Sequence, residues 1–207
     1  MIPKGLIVSI QGYSRETTEE LTEQAASGGA CALRTDKLIN CRLPIIGLKK
    51  SRVSNPETDP YITATLEDVK AVAAWSKIIA VDFRRANKER KQISDYSKEM
   101  GLCIVADIME IEDYFDILEN EYYHQFVTPA LRVFKKSHYP DFEFYENLIE
   151  YDCKNMIAEG NIQTREQVKR CYEMGINNVC IGAAISDVYK LTKKYSSVRI
   201  ERGKDGK

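Results

Sequence analysis

Lys50, Glu159, Arg34 and Asp107 are the residues of this 207-residue chain best placed to move a proton. Each follows a short apolar run: Lys50 after Pro44–Leu48 and Lys49, Glu159 after Met156–Ala158, Arg34 after Ala30–Leu33, and Asp107 after Cys103–Ala106. A carboxylate behind three apolar residues is expensive to bury unless it is paired or used. A lysine in such a place acts as a base at neutral pH only if burial or a second cation lowers its pKa from about 10.4. Lys49 and Arg34 are the candidates for that cation. An amine facing a carboxylate suits a reaction in which a proton leaves one face of a carbon and arrives on the other.

Supporting groups stand at the ends of other runs. Gln11 follows Leu6–Ile10, and Thr128 follows Phe126-Val127. Gln11 is expected to orient a substrate oxygen, Arg34 to polarise one, and Asp107 to position the Lys50 ammonium. Each has a structural alternative: Lys50 as a rim lysine paired with Asp107 or Glu159, and Glu159 as the ion-pair partner of Arg34 or Lys50. Gly160 permits close backbone approach by a ligand. Gly160 and the small run Gly182, Ala183 and Ala184 are candidates for a phosphate loop. No basic residue follows them directly, and Asp187 just beyond would repel an anion. Arg132, Lys135 and Lys136 are the candidate replacements, or else a solvated basic loop.

These residues need elements that bring strand ends to one place. The apolar runs alternate with helical patterns, which predicts parallel pairing and an α/β (β/α)8 barrel with its chemistry at the carboxyl ends of the strands. Counted as strands, Gln11, Lys50, Asp107 and Glu159 end the first, third, fifth and seventh, so Lys50 and Glu159 meet across the mouth. Helices are expected over 17–27, 66–76, 88–100, 111–119, 141–150, from a capping box at Thr164–Gln167 to Gly175, and over 188–195. The span from Thr35 to Leu43 has room for at most about two turns, which predicts a shortened second helix. The loop from Ser51 to Thr65, with Asn55-Pro56 and Asp59-Pro60, reads as a lid.

Length suits one barrel domain, residues 1–198, with a frayed tail over 199–207. The net charge is −1 with both signs interspersed, so no field favours nucleic acid or an anionic membrane. No run approaches the roughly 20 apolar residues of a membrane helix, and the N-terminal apolar stretch is too short for a signal peptide. The six cysteines form no CxxC pair and several lie in apolar runs, as expected of a reduced cytoplasmic protein. His124 and His138 have no second ligand at metal spacing. Neither a Walker glycine loop, GxGxxG nor GxSxG occurs.

Taken together the runs resemble the N-acetylmannosamine-6-phosphate 2-epimerase family. The segments are Gly5–Gln11, Gly28–Arg34, Pro44–Lys50, Tyr61–Thr65, Ala106–Ile108 and Ala158–Thr164, in order along nearly the whole chain. The resemblance implies a barrel and a cofactor-free isomerase of sialic-acid catabolism that interconverts N-acetylmannosamine 6-phosphate and N-acetylglucosamine 6-phosphate. It places the catalytic lysine on Lys50 and the catalytic glutamate on Glu159, with substrate contacts at Gln11, Arg34 and Asp107. Thr128, Gly160, Gly182 and Ala183 join the expected binding set. The expected partner is a small amino sugar, with no nucleic acid or membrane, and a homodimer is a further expectation. The family's Glu-Gly-Arg is Glu159-Gly160-Asn161 here, and the segments after the fourth, sixth and eighth strands also depart. Two other readings fit these departures: altered substrate specificity, or an inactive sugar-binding regulatory barrel.

Overall fold

The computed structural model describes residues 1–135 and 140–196, the last three by backbone alone. The expected domain end at 198, the tail, Lys136 and His138 lie outside the described residues. The elements run β1 (Gly5–Ile10), α1 (Arg15–Ser27), β2 (Ala32–Thr35), β3 (Ile45–Gly47), α2 (Leu66–Ala73), β4 (Ile78–Asp82), α3 (Arg90–Glu99) and β5 (Cys103–Asp107). They continue with α4 (Ile111–Glu119), β6 (Phe126–Thr128), a 3₁₀ turn (Ala130–Phe134), α5 (Phe142–Glu150), β7 (Ile157–Ala158), α6 (Arg165–Glu173), β8 (Asn178–Ile181), α7 (Ala183–Ser186) and α8 (Val188–Ser196).

The eight strands pair in the order β6-β5-β4-β3-β2-β1-β8-β7, all parallel. The ring closes between β6 and β7 through an isolated Val127–Met156 bridge, where Val127 N–H donates to the Asn155 carbonyl at 3.1 Å. This is the expected barrel. Its interior is filled from every strand, by Ile7, Ala32, Ile46, Ala80, Val105, Phe126, Ile157 and Cys180 among others. Side chains alternate along a strand. Hence Arg34 shares the inward face of β2 with Ala32, and Asp107 that of β5 with Val105. The other face of the sheet packs Ile79, Val81 and Ile104 against the helices, with Val69 and Val72 of α2 in the same cluster.

Helix starts follow their capping residues. Thr164 accepts from Gln167 N–H while the Gln167 side chain accepts from the Thr164 N–H, the box expected from sequence. Thr65 and Asp68 form the same arrangement at α2.

The truncation after β2 is complete. The span between β2 and β3 carries no helix, where at most two turns were expected. Pro44 disfavours helical backbone at Leu43, which leaves too little chain for a stable helix. The span instead lays Ile39, Cys41 and Leu43 onto Val8 and Leu33, covering the outer face of the barrel as an irregular segment.

Gly47 ends β3 where α2 crosses closely. A Cβ there would stand 2.7 Å from Ser76 Cβ, 2.8 Å from Val72 Cγ1 and 2.9 Å from Trp75. Gly47→Ala is therefore expected to cost about 1–3 kcal/mol by overpacking, read as a lower urea midpoint with unchanged slope.

Candidate active site

Across the barrel mouth, the Arg34 side chain of β2 reaches two carboxylates. Arg34 Nη1 donates to Asp107 Oδ1 at 3.1 Å and Nη2 to Oδ2, a two-pronged fork. Nη1 also lies 3.2 Å from Glu159 Oε2. The arginine and aspartate side chains are 3% and 0% exposed, the glutamate 16%. Burial works against the Arg34 cation, but the carboxylates of Asp107 and Glu159 outweigh it and hold its pKa above the ordinary value. At Asp107 burial pushes the carboxyl upward, against the pull of Arg34. Arg34 Nε is buried and makes no hydrogen bond.

Glu159 follows β7 and is gripped from three further directions. Thr128 Oγ1 donates to its Oε2 at 3.4 Å. The Cys180 thiol, on the inward face of β8, hydrogen-bonds the same carboxylate; burial pushes that thiol well above its usual pKa, so it remains a donor. Tyr145 donates its hydroxyl to the Glu159 main-chain carbonyl at 2.8 Å. Arg34, Asp107 and Thr128, expected as substrate contacts, are thus buried behind Glu159 with their polar atoms turned to it and to one another. Neither tyrosine nor cysteine was singled out from sequence. Cys180 sits in an apolar run and reads there as core.

Lys50 follows β3, open to solvent on one side. Its ammonium lies 6.0 Å from the centroid of the Tyr61 ring. Burial against the mouth lowers its pKa from 10.5; Asp36 opposes this, Arg34 adds to it, Glu159 opposes and Lys190 adds. Arg34 is therefore one depressing cation. Lys49 is not: its amine pairs with Asp68 at 2.6 Å. Asp107, expected to position Lys50, is taken up by Arg34, and the carboxylates facing the amine are Asp36 and Glu159. Asp36 was missed, although it stands two residues beyond Arg34 at the same end of the same strand.

Gln11 is half-buried after β1 and donates its amide to Ser9 Oγ at 2.7 Å. A cavity of about 530 Å³ extends from Glu159 past Gly160, Gly182 and Ala183 to Lys190. Gly160 has φ +109°, a backbone conformation that favours glycine. Lys190 was not anticipated. Asp187 accepts its N–H at 2.9 Å at the start of α8 and lies 3.5 Å from its ammonium, so this carboxylate is accompanied by a cation. Of the basic residues expected to serve an anion, the two that are described are engaged elsewhere. Arg132 is bound by Asp141 at 2.9 Å and by the Met109 carbonyl at 2.7 Å, and Lys135 by Glu110. Among the described residues no three His, Cys, Asp or Glu side chains group as metal ligands. No described helix is long and apolar enough to cross a membrane.

Fold and mouth together define a (β/α)8 barrel protein with acid–base groups at the carboxyl end of its strands. Residues 19–200 match the model of the family described as "Putative N-acetylmannosamine-6-phosphate epimerase", and the chain belongs to that family. Relatives described as 2-epimerases include one from Clostridioides difficile (strain 630), 28% identical, covering 92% of this chain and 93% of its own. Another, from Clostridium perfringens (strain SM101 / Type A), is 29% identical and covers 96% and 98%. The solved N-acetylmannosamine-6-phosphate 2-epimerase from Clostridium perfringens superposes with a TM-score of 0.86 at 26% identity, over 96% of this chain and 95% of that one. The tryptophan synthase alpha subunit of Legionella pneumophila str. Paris, at TM-score 0.60 and 14% identity, shares the fold alone.

Removing one member of the buried fork strands the other. Asp107→Ala is expected to destabilise the protein by about 3–5 kcal/mol, measured by denaturant unfolding. A loss below about 1 kcal/mol would mean that Arg34 finds water instead.

Proposed function

We propose that the protein interconverts N-acetylmannosamine 6-phosphate and N-acetylglucosamine 6-phosphate by removing and replacing the proton at C2. One observation supports the reading: Lys50 follows β3 and Glu159 follows β7, so both stand at the carboxyl end of the same closed barrel. Membership of the epimerase family supports the same chemistry.

In the open-chain sugar C2 lies beside the aldehyde, so its C–H bond can release a proton and leave its electrons in an enolate that spans C2, C1 and the C1 oxygen. The Lys50 amine takes the proton from one face, and the Glu159 carboxyl returns one to the other; the reverse reaction exchanges the roles. Arg34, Asp107, Thr128 and Cys180 hold the glutamate in place. The positive charge of Arg34 lies close behind the site, where it stabilises negative charge as it develops. Gln11 offers its amide to the C1 oxygen. Lys190 meets the phosphate at the far end of the cavity, in place of the arginine that the family carries where Asn161 stands.

Several outcomes test this. In deuterium oxide, the C2 position of either sugar phosphate is expected to gain deuterium, followed by proton NMR. A chain that leaves C2 protonated in both sugars is not this enzyme. Lys50→Met and Glu159→Gln are each expected to lose roughly 10²–10⁴-fold in kcat.

The pair works with one proton between them, so kcat/KM falls at high pH when that proton is lost. Because the Lys50 pKa is lowered, that alkaline limb is expected below pH 10.5. Lys190→Met is expected to raise KM for the phosphorylated sugar by about tenfold, with little change in kcat or in the weak turnover of the unphosphorylated sugar. Equal effects on both sugars would remove Lys190 from phosphate recognition.

A further inference from the structure

The connection from β3 to α2, read from sequence as a lid, is fastened at both ends and in the middle. Its returning end forms a short antiparallel ribbon with the segment that carries Lys50. Ser51 N–H donates to the Tyr61 carbonyl at 2.8 Å, and Thr63 N–H to the Lys49 carbonyl at 2.7 Å. Thr63 Oγ1 accepts the Lys49 N–H at 3.0 Å. Thr63 holds φ +44° while fully buried, an unfavourable backbone state for a β-branched residue that its surroundings must enforce.

The fastening in the middle comes from β4. Asp82 and Arg84 form an ion pair, at 0% and 5% side-chain exposure, with Nη2 2.7 Å from Oδ2. The same guanidinium donates to three carbonyls of the strap, those of Pro56 at 3.0 Å, Glu57 at 2.9 Å and Asp59 at 2.6 Å. Asp82 Oδ2 in turn accepts the Tyr61 N–H at 2.8 Å, and the Asp82 N–H donates to the Ile62 carbonyl at 2.7 Å. Five donors on a rigid planar group suit so many acceptors; lysine has three donors on a flexible stem and no fixed fork.

Tyr61 is what this fastening places. Its ring stands 6.0 Å from the Lys50 ammonium on one side and packs edge-on to Phe134 at 5.7 Å on the other. Phe134 ends the 3₁₀ turn after β6. The strap and the β6 loop therefore meet through one aromatic contact, beside the amine.

We infer that Arg84 is a positioning residue for Lys50: by binding the strap's carbonyls it fixes Tyr61 and closes one side of the amine's pocket. The inference rests on the reading of Lys50 as an acid–base group. The charged groups acting on that amine are Arg34 and Asp36 on and after β2, Glu159 after β7 and Lys190 on α8; Tyr61 supplies the uncharged wall. Exclusion of water is the largest influence lowering the Lys50 pKa, so loosening the strap returns water and raises it toward 10.5.

The test follows Lys50 by NMR titration of lysine-labelled protein, its resonance assigned with Lys50→Arg, alongside the pH profile of kcat/KM. Arg84→Met and Tyr61→Ala are each expected to raise the Lys50 titration and move the alkaline limb upward with it. Arg84→Met is expected to lower kcat by roughly tenfold to a hundredfold with a smaller change in KM. The double variant is expected to match the larger single effect, because both changes break one chain of contacts. Arg84→Lys, which keeps the charge but cannot reach three carbonyls, is expected to behave like Arg84→Met. Where Arg84→Met leaves Asp82 unpaired and the chain does not fold, Asp82→Asn/Arg84→Met removes both charges and keeps an acceptor for Tyr61. A folded Arg84 variant with the parental Lys50 titration, or effects that simply add, overturns the inference. Should the parent show no exchange at C2, the epimerase reading fails while the titration still decides the coupling.

Discussion

A buried guanidinium spanning the barrel is the interaction on which the mouth depends. Arg34 leaves β2, meets Asp107 of β5 and touches Glu159 beyond β7. Alone, any of the three charges would be costly at this depth. Together, one cation between two carboxylates makes burial tolerable and ties three strands to one geometry. The arrangement leaves Glu159 as the partly open member, the one with a surface toward the cavity. A network that is closed on the Asp107 side thus presents a carboxylate to the cavity on the Glu159 side.

Much of this was legible in the sequence. An apolar run that stops at a charged residue is a strong signal in a barrel, because the run must be a buried strand and its end must lie at the rim. That logic locates Lys50, Arg34, Asp107 and Glu159 without coordinates. It does not say who pairs with whom. Asp107 was expected to face Lys50, but the inward parity of β2 and β5 brings it to Arg34. Cys180 could not be distinguished from packing, since its run is apolar throughout and only its side-chain direction turns the thiol to Glu159. Lys190 was invisible for another reason: it lies on a helix beyond β8, eight residues past Gly182 in sequence, and only the turn through α7 brings it back to the cavity.

The departures from the family pattern have a common physical form. The chain between β2 and β3 carries no helix and lies as an irregular segment on the sheet. Basic residues after β6 are neutralised in local pairs. After β4, Arg84 turns inward to bind the backbone of another loop. Each change alters how loops are held at the rim, while Arg34 and Asp107 stay buried and paired inside the barrel. Core and rim answer to different constraints: packing at native density limits the first, and hydrogen-bond satisfaction limits the second.

The closure of the ring between β6 and β7 has a consequence for how the wall is held. Main-chain pairing there is reduced to a single bridge, so side chains do the stitching. Thr128 on one lip bonds Glu159 on the other, and Tyr145 of α5 holds the Glu159 carbonyl from outside. The glutamate is therefore also a rivet in the cylinder's weakest joint. Its carboxylate and its carbonyl each tie one wall of the barrel to the next, so the ring at this point is held by side chains where backbone pairing is thinnest.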